Sequence, residues 1–501
     1  MVTLIDVILP IFTFVIAALL TIPVFRIIRK SNHKAGLTVG WLVLVFLIAG
    51  VAVANLVLKY YAVPAPGIMT ISLTSGANSL FSNAFQIDAI SVYMAIILVA
   101  MSSVIVIYAV FALKTPERPS ERYFAIMLMI VGALVGAVLA GDLLTLFIFW
   151  EASSAGAAFL MVYRKDVVSL NAVLKFLVMI VIASAFVVFG MSIVYGLAGT
   201  LNYIALGKDL ATLTSNHLLI VAFIFIAAGY AIEAAIVPFH FWLPDAYTAA
   251  PSSSAAFLSA LVDQGSYYIL IRVLLYILLP STVNWTVMLA FMAALTMIIG
   301  NLFALAQTDV KRLVAYICVA DVGYNLVAIT SVTALGIIGN LYFFLIGGIT
   351  TALAFMAVGV INSHGFRSLD DMSGLGKRMP LASLALVMAS LSFAGVPPFG
   401  GFFAKLLVFT AAIQGNLAWL AVVGVLTSVL QTAYLLRLIY VFYGKKSSDA
   451  TSIKESKYIL IPIFILAAVL IILGVFPQIV LSLVHPVVNQ IQSIMPKIPI
   501  V

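Results

Sequence analysis

Runs of about twenty apolar residues recur along this chain with only short links between them, and no other feature restricts the fold as much. A helix of that length is what the roughly 30 Å hydrocarbon core of a bilayer requires. Marking the runs predicts fourteen spans, over about residues 3–25, 36–58, 87–113, 122–141, 143–163, 168–196, 218–237, 255–279, 284–306, 311–331, 335–361, 381–413, 417–442 and 458–481. Composition agrees, with 64% of residues hydrophobic and 8% charged, where soluble domains carry about a quarter. Too little polar surface exists to face water, so lipid is the expected solvent. In lipid each backbone group must be satisfied within its own span, and the expected fold class is an all-α membrane protein of about fourteen transmembrane helices. The first thirty residues, MVTLIDVILPIFTFVIAALLTIPVFRIIRK, lack a basic start and end in a basic cluster. They read as a first span rather than a secretory signal.

The cations fix an orientation. Eighteen of the 25 Lys and Arg residues fall in alternate links, around 26–34, 114–122, 164–166, 307–312, 362–380 and 443–457. The opposite links and tail hold Lys59, Lys208 and Lys497, and Lys175, Arg272, Lys405 and Arg437 lie inside spans. This alternation is the positive-inside pattern. It places both termini on the outer face of the cell (plasma) membrane and accounts for the net charge of +8 without a nucleic-acid partner. No link exceeds about 30 residues, so residues 1–501 are expected to form a single integral membrane domain.

Several function classes are excluded by what the chain lacks. Its single cysteine, Cys318, is too few for a disulfide framework or a thiolate-held cluster. His33, His217, His240, His364 and His485 are scattered without metal-ligand spacing, and no glycine-rich phosphate loop occurs. Neither a cofactor nor a metal is expected on this chain.

The informative residues are ionisable groups in mid-span, where each is costly unless paired or hydrated. They are Glu151 in LLTLFIFWEASSAGAAFL, Lys175 in SLNAVLKFLVMIV, Glu233 in AAGYAIEAAIVPFHFW with His240 seven residues on, Asp263 and Arg272 in ALVDQGSYYILIRVLL, Asp321 in AYICVADVGYNLV, and Lys405 in GVPPFGGFFAKLLVF. Any one of them reads equally well as a structural staple. Arg272 reads as structural, within reach of Asp263 or a helix end, Arg437 as a snorkelling cation, and Asp142 as a helix cap. As a set they read differently, because four helices carry a mid-span acid and static pairing needs near-equal, adjacent partners. Two proline breaks fall beside these charges, at Pro238 and at Pro397-Pro398. Irregular backbone at membrane depth occurs where it lines a cavity or is buried in protein, and paired broken helices mark inverted-repeat transporters.

These segments resemble a known family, the antiporter-like proton-conducting subunits of complex I, of Mrp cation/proton antiporters and of membrane-bound hydrogenases. The resemblance runs from about 85 to 445. Its landmarks are FQIDAIS at 86–92, AGDLLTLFIFWE at 140–151, AGTLNY at 198–203, VPFHFWLPDAY at 237–247, DVKRLVAY at 309–316 and AGVPPFGGFFAKLLVF at 394–409. It implies two inverted five-helix repeats, each with a broken helix, in residues 114–279 and 280–442. Helices one to three then occupy 1–113, and helix fourteen with the tail 443–501. It also implies a water-joined line of Lys, Glu and His, onto whose positions Glu151, Lys175, His240 and Lys405 fall. The lateral helix of the family's distal members is expected to be absent.

Two positions depart from the family pattern. The usual lysine five residues before the broken-helix proline is Glu233 here, and the lysine of span eight is Asp263 or Gln264. A histidine and lysine that some relatives carry in span eleven would fall near Gly347 and Thr351. With Glu151 opposite Glu233, two carboxylates are expected to share a dry site and, by mutual repulsion, to hold one proton, with Lys175 compensating in part. Such a site also suits a hard ion such as sodium.

Three functions are therefore expected. The first is a proton- or sodium-translocating, non-catalytic subunit of a complex I-like or hydrogenase-like respiratory complex, with further antiporter-like subunits and a hydrophilic redox arm as partners. The second is a subunit of an Mrp-type antiporter, and the third a non-conducting spacer. The stretch from Ser392 to Gly444 looks most like the complex I subunit of the N type, whereas APSSSAAFLSALV lies between that type and the Mrp D type.

Overall fold

The apolar runs fold as helices, and two of them break beside prolines, at Pro238 and at Pro397-Pro398. The computed structural model describes residues 2–31, 34–63, 67–73, 84–113, 120–164, 166–212, 217–274, 285–445 and 451–494. His33, Lys114, Arg118, Lys165, Lys446, Lys497 and the end of the eighth predicted span lie outside them.

In chain order the helices are α1 (Leu4–Ile28), α2 (Lys34–Tyr61), α3 (Ala89–Ala112), α4 (Ser120–Val138), α5 (Leu143–Met161), α6 (Val167–Ala198), α7 (Tyr203–Thr212), α8 (His217–Glu233), α9 (Trp242–Ala249), α10 (Ser252–Phe257), α11 (Gln264–Ile271), α12 (Thr286–Leu305), α13 (Val310–Thr330), α14 (Ala334–Asn362), α15 (Leu375–Arg378), α16 (Pro380–Ala394), α17 (Gly400–Gln414), α18 (Ala418–Tyr443), α19 (Lys457–Val475) and α20 (Gln478–Ile494). Among the described residues eleven helices are long and apolar enough to cross a membrane, namely α1 to α6, α12 to α14, α18 and α19. Three shorter apolar helices, α8, α16 and α17, join them.

The fold departs from the sequence expectation in three places. The chain is not purely helical, because β1 (Met69–Ile71) and β2 (Phe85–Ile87) pair antiparallel, Thr70 opposite Gln86. The eighth predicted span is not one α-helix, since a π-helical segment, Leu258–Asp263, separates α10 from α11. The tail after the last predicted span is helical: α20 buries Val480, Val484, Val487 and Ile491, and Gln490 accepts a hydrogen bond from the Ala89 amide at 2.8 Å.

The same local devices serve both halves. Asp142 caps α5 by accepting from the Thr145 amide at 2.7 Å and bridges to Asn202, and Asp309 caps α13 by accepting from the Arg312 amide at 3.0 Å and bridges to Ser368. Each cap satisfies one of the amides that a helix start leaves without an intrahelical partner. Glycines set the closest crossings. A Cβ on Gly229 would meet the Ala183 carbonyl oxygen at 2.8 Å, locking α8 to α6, and one on Gly323 would meet the Met297 amide nitrogen at 2.7 Å, locking α13 to α12. Gly229 lies one turn before Glu233 and Gly323 two residues after Asp321, so these contacts position the acids. At the centre α13 and α14 are buried along almost their whole length, whereas α6 exposes most of its own.

Candidate ion path

In the second half the break is built by two glycines. Gly395 ends α16 in the left-handed conformation (φ +73°), and a Cβ on Gly401 would collide with the Ser392 carbonyl oxygen. The turn holding Pro397 and Pro398 thus packs directly on the end of α16, and α17 restarts one turn ahead of Lys405. Lys405 is buried, and its Nζ donates to Ser428 Oγ at 2.8 Å and to Gln431 Oε1 at 2.6 Å, both on α18. It also lies 4.6 Å from the centre of the Tyr324 ring, a cation–π arrangement. One turn before Tyr324 on α13 stands Asp321, buried and within electrostatic range of Lys405 and Gln431. The acid and the base do not touch, and Gln431 stands between them.

In the first half two carboxyls meet. Glu233 is the last residue of α8 before the Pro238 break. It accepts a hydrogen bond from the Trp150 indole and faces Glu151 closely enough to share a proton with it. Glu151, on α5, accepts from Ser184 Oγ of α6 at 2.8 Å. The expected opposition of Glu151 and Glu233 is therefore present, but the compensating lysine is not. Lys175 instead pairs with Asp245 of α9 at 2.6 Å, with its side chain 62% exposed, and Arg312 reaches the other Asp245 oxygen at 3.0 Å. This triad lines a vestibule of about 690 Å³ together with Asp166, Asp309 and Lys311.

Between the halves lies Asp263, at the end of the π-helical segment. π-turns inside helices are frequent at functional sites. Asp263 is buried, and both its carboxyl oxygens lack a hydrogen-bond partner among the described residues. A void of about 10 Å³, the size of a single water, is lined by Glu233, Trp242, Tyr247 and Asp263. Asp263 is also within electrostatic range of Asp321. The resulting order is Glu151, Glu233, void, Asp263, Asp321, Lys405.

The remaining sequence candidates lie off this line. His240 is buried with its ring 4.3 Å from Phe241 and 6.0 Å from Phe303, centroid to centroid, and has no side-chain hydrogen-bond partner among the described residues. Arg272 does not reach Asp263. It forms a fully buried ion pair with Asp88, donating through Nη2 to Oδ1 at 2.7 Å, and donates through Nε to the Tyr268 hydroxyl at 2.6 Å. Asp88 caps α3 just outside the span. Burial alone would raise its carboxyl, but the Arg272 guanidinium outweighs that and holds it below the usual carboxylate range. Arg437 is exposed, as a snorkelling cation would be.

Sequence reasoning marked Asp321 but gave it no place on the path, and it passed over Ser428, Gln431 and Asp245. The signal for the α18 pair was present, since Ser428 and Gln431 stand three residues apart and share a helix face.

Comparison with known proteins follows the same residues. The family of the transmembrane segment of NADH:quinone oxidoreductases and Mrp antiporters matches residues 140–431. The chain is 30% identical over 424 residues to the F(420)H(2) dehydrogenase subunit N of Methanosarcina mazei, covering 82% of this chain and 86% of that protein. It is 33% identical over 362 residues to the NADH-quinone oxidoreductase subunit N of Acidithiobacillus ferrooxidans, covering 71% and 75%. Among solved structures, a chain of the membrane-bound sulfane sulfur reductase, an archaeal respiratory membrane complex, superimposes with a TM-score of 0.87 at 27% identity, covering 98% of both chains. A chain of the Mrp complex from Dietzia shares the fold, with a TM-score of 0.85 at 23% identity over 99% of this chain and 98% of that one.

Proposed function

The chain belongs to the family of transmembrane subunits of NADH:quinone oxidoreductases and Mrp antiporters, and we propose that it is an ion-translocating, antiporter-like subunit of a complex I-like respiratory complex. In this reading redox chemistry on other subunits drives ion movement through the present chain, which itself carries no cofactor. The subunit spans the plasma membrane fourteen times, with both termini outside and two inverted five-helix repeats in 114–279 and 280–442. Its neighbours are other antiporter-like subunits and a hydrophilic redox arm, and the proton is its first ion.

One observation carries the reading. Asp321 and Lys405 stand on separate buried helices, beside a break in one of them, with a neutral amide between them. A static staple would bring acid and base into contact, because a charge buried without its counter-charge is costly. A gap bridged by Gln431 instead lets the pair separate and re-form as a proton passes, which is what a relay across a spanning bundle needs. Glu151, Glu233 and Asp263 extend the line into the first half, with His240 and Lys175 beside it.

A second reading is a spacer with a conducting fold but no conduction, motivated by the missing bases of the first half. Transport by membrane vesicles carrying the assembled complex tests both, with Glu151→Gln and Lys405→Met measured against wild type. Loss of transport in Lys405→Met with the complex intact supports the proposal, and unchanged transport in both variants leaves only the spacer. Transport without any electron donor would move the chain to an Mrp-type antiporter.

A further inference from the structure

The Lys405 ammonium is buried, yet among the described residues no carboxylate touches it. An ammonium has three donors and no acceptor, and two neutral groups, Ser428 Oγ and Gln431 Oε1, accept from this one. Its nitrogen also lies over the ring of Tyr324, 4.6 Å from the centre. The negative face of an aromatic ring attracts a cation, most strongly where water is excluded. Part of what a counter-charge would supply therefore comes from this ring.

The ring is held by its hydroxyl. Tyr324 donates to Thr427 Oγ1 of α18 at 3.2 Å and accepts from Asn301 Nδ2 of α12 at 3.4 Å. Asn301 is held in turn, because its Oδ1 accepts from the Tyr434 hydroxyl at 3.0 Å and its Nδ2 also donates to the Met297 carbonyl at 2.8 Å. All four side chains, Tyr324, Thr427, Asn301 and Tyr434, are buried. Packing alone needs no such set. A phenylalanine would fill the space without partners, whereas each buried polar group has to be satisfied. What the network adds is orientation, since a phenol anchored from two neighbouring helices cannot turn its face away from Lys405. The helix that carries the ring also carries the acid. Asp321 stands three residues before Tyr324 on α13, so carboxylate and ring are neighbours on one helix face. On its flexible four-carbon stem the ammonium thus has two resting places side by side, the ring face that it occupies here and the carboxylate.

We propose that Tyr324 is a positioning residue, whose ring parks the Lys405 ammonium while the Asp321–Lys405 pair is parted. The inference rests on reading that pair as the relay of an ion-translocating subunit. Ring fluorination tests it, because each fluorine weakens the negative face and leaves the size of the ring almost unchanged. Phenylalanine, and phenylalanines carrying one, two and three ring fluorines, replace Tyr324 in the full chain within the assembled complex. Coupled transport in vesicles is expected to fall stepwise with fluorine number, about tenfold across the series. Thermal unfolding of the same complexes is expected to shift downward stepwise, and to stop responding to fluorine in Lys405→Met. A stability response to fluorine that persists unchanged in Lys405→Met would make the ring a packing residue and overturn the proposal. Transport that stays level across the fluorine series would overturn it as well. The stability cycle reads the contact of ring and ammonium without turnover, so failure of the relay reading shows in the transport of Lys405→Met and not in this cycle.

Discussion

The two halves of this protein share their backbone devices and differ in their charge. Each begins with a capping aspartate, Asp142 or Asp309, bridged to the backbone further on. Each packs its acid-bearing helix against a neighbour through a glycine, and each breaks a helix at a proline. Within that frame the second half sets Asp321 against Lys405, whereas the first sets Glu151 against Glu233. The scaffold is therefore indifferent to the sign of the charge it positions. Helix capping and close glycine crossings are satisfied by backbone atoms, so a lysine can become a glutamate without disturbing the bundle. What changes is the charge set in place, from an acid and a base with Gln431 between them to two facing carboxyls.

The largest expected effect lies in the second half. Lys405→Met leaves Asp321 buried without a base, and loss of one partner of a buried charge pair costs about 3–5 kcal/mol. Coupled ion transport is expected to fall about a hundredfold, the scale on which a positioned proton-transfer group acts. Adding Asp321→Asn is expected to recover the thermal stability of the complex and none of the transport. Recovery of both would make the pair a staple and erase the contrast with the first half.

Arg272→Leu is expected to cost as much stability and little transport, because the Asp88–Arg272 pair ties the start of α3 to the end of α11 away from the path. Its pH dependence has a definite sign. Asp88 is held below the usual carboxylate range, so its contribution is complete above about pH 4 and is lost as pH falls through its lower folded value. Thermal unfolding of wild type should be flat on this account from neutral pH to about pH 4 and weaken below, and Arg272→Leu should remove that acid step.

Much of this was legible in the sequence, and the rest failed for physical reasons. Spans and breaks could be read because lipid imposes length and apolarity on every helix, and proline removes a donor. The meeting of Glu151 and Glu233 was legible from the family pattern. Partners of long cationic side chains were not. Arg272 sits nine residues from Asp263 yet reaches Asp88, 184 residues away in sequence, because the start of α3 lies against the end of α11 in the fold. Lys175 lies within the length of a span but extends to α9, since the first turn of that half-helix offers Asp245. The π-helical segment that ends at Asp263 leaves no signal in hydropathy, because one inserted residue changes neither length nor composition.

Glu233 sharpens the comparison by exchange. Glu233→Gln keeps an acceptor for the Trp150 indole and removes the repulsion from Glu151, so stability is expected to change by less than about 1 kcal/mol, upward. Transport is expected to fall about tenfold, less than for Lys405→Met, because Glu151 still carries a proton. Glu233→Lys restores the acid–base pattern of the second half and is expected to transport better than Glu233→Gln. Equal transport in wild type, Glu233→Gln and Glu233→Lys would show that the first half conducts nothing.

The smallest effect is expected at Lys175, which the family pattern places on the path and the structure places at the rim of the vestibule. Its ion pair with Asp245 is solvent-exposed, and such pairs contribute about 0–1 kcal/mol. Arg312 holds the other Asp245 oxygen, so the carboxylate keeps a partner when the lysine is removed. Lys175→Met is therefore expected to change thermal stability by less than about 0.5 kcal/mol and transport by less than about twofold. A tenfold loss of transport would mean that Lys175 leaves Asp245 during turnover to meet Glu151 or Glu233. The first half would then have a base after all, held outside the line at rest and drawn in only when a negative charge appears there, and the two halves would differ in timing rather than in kind.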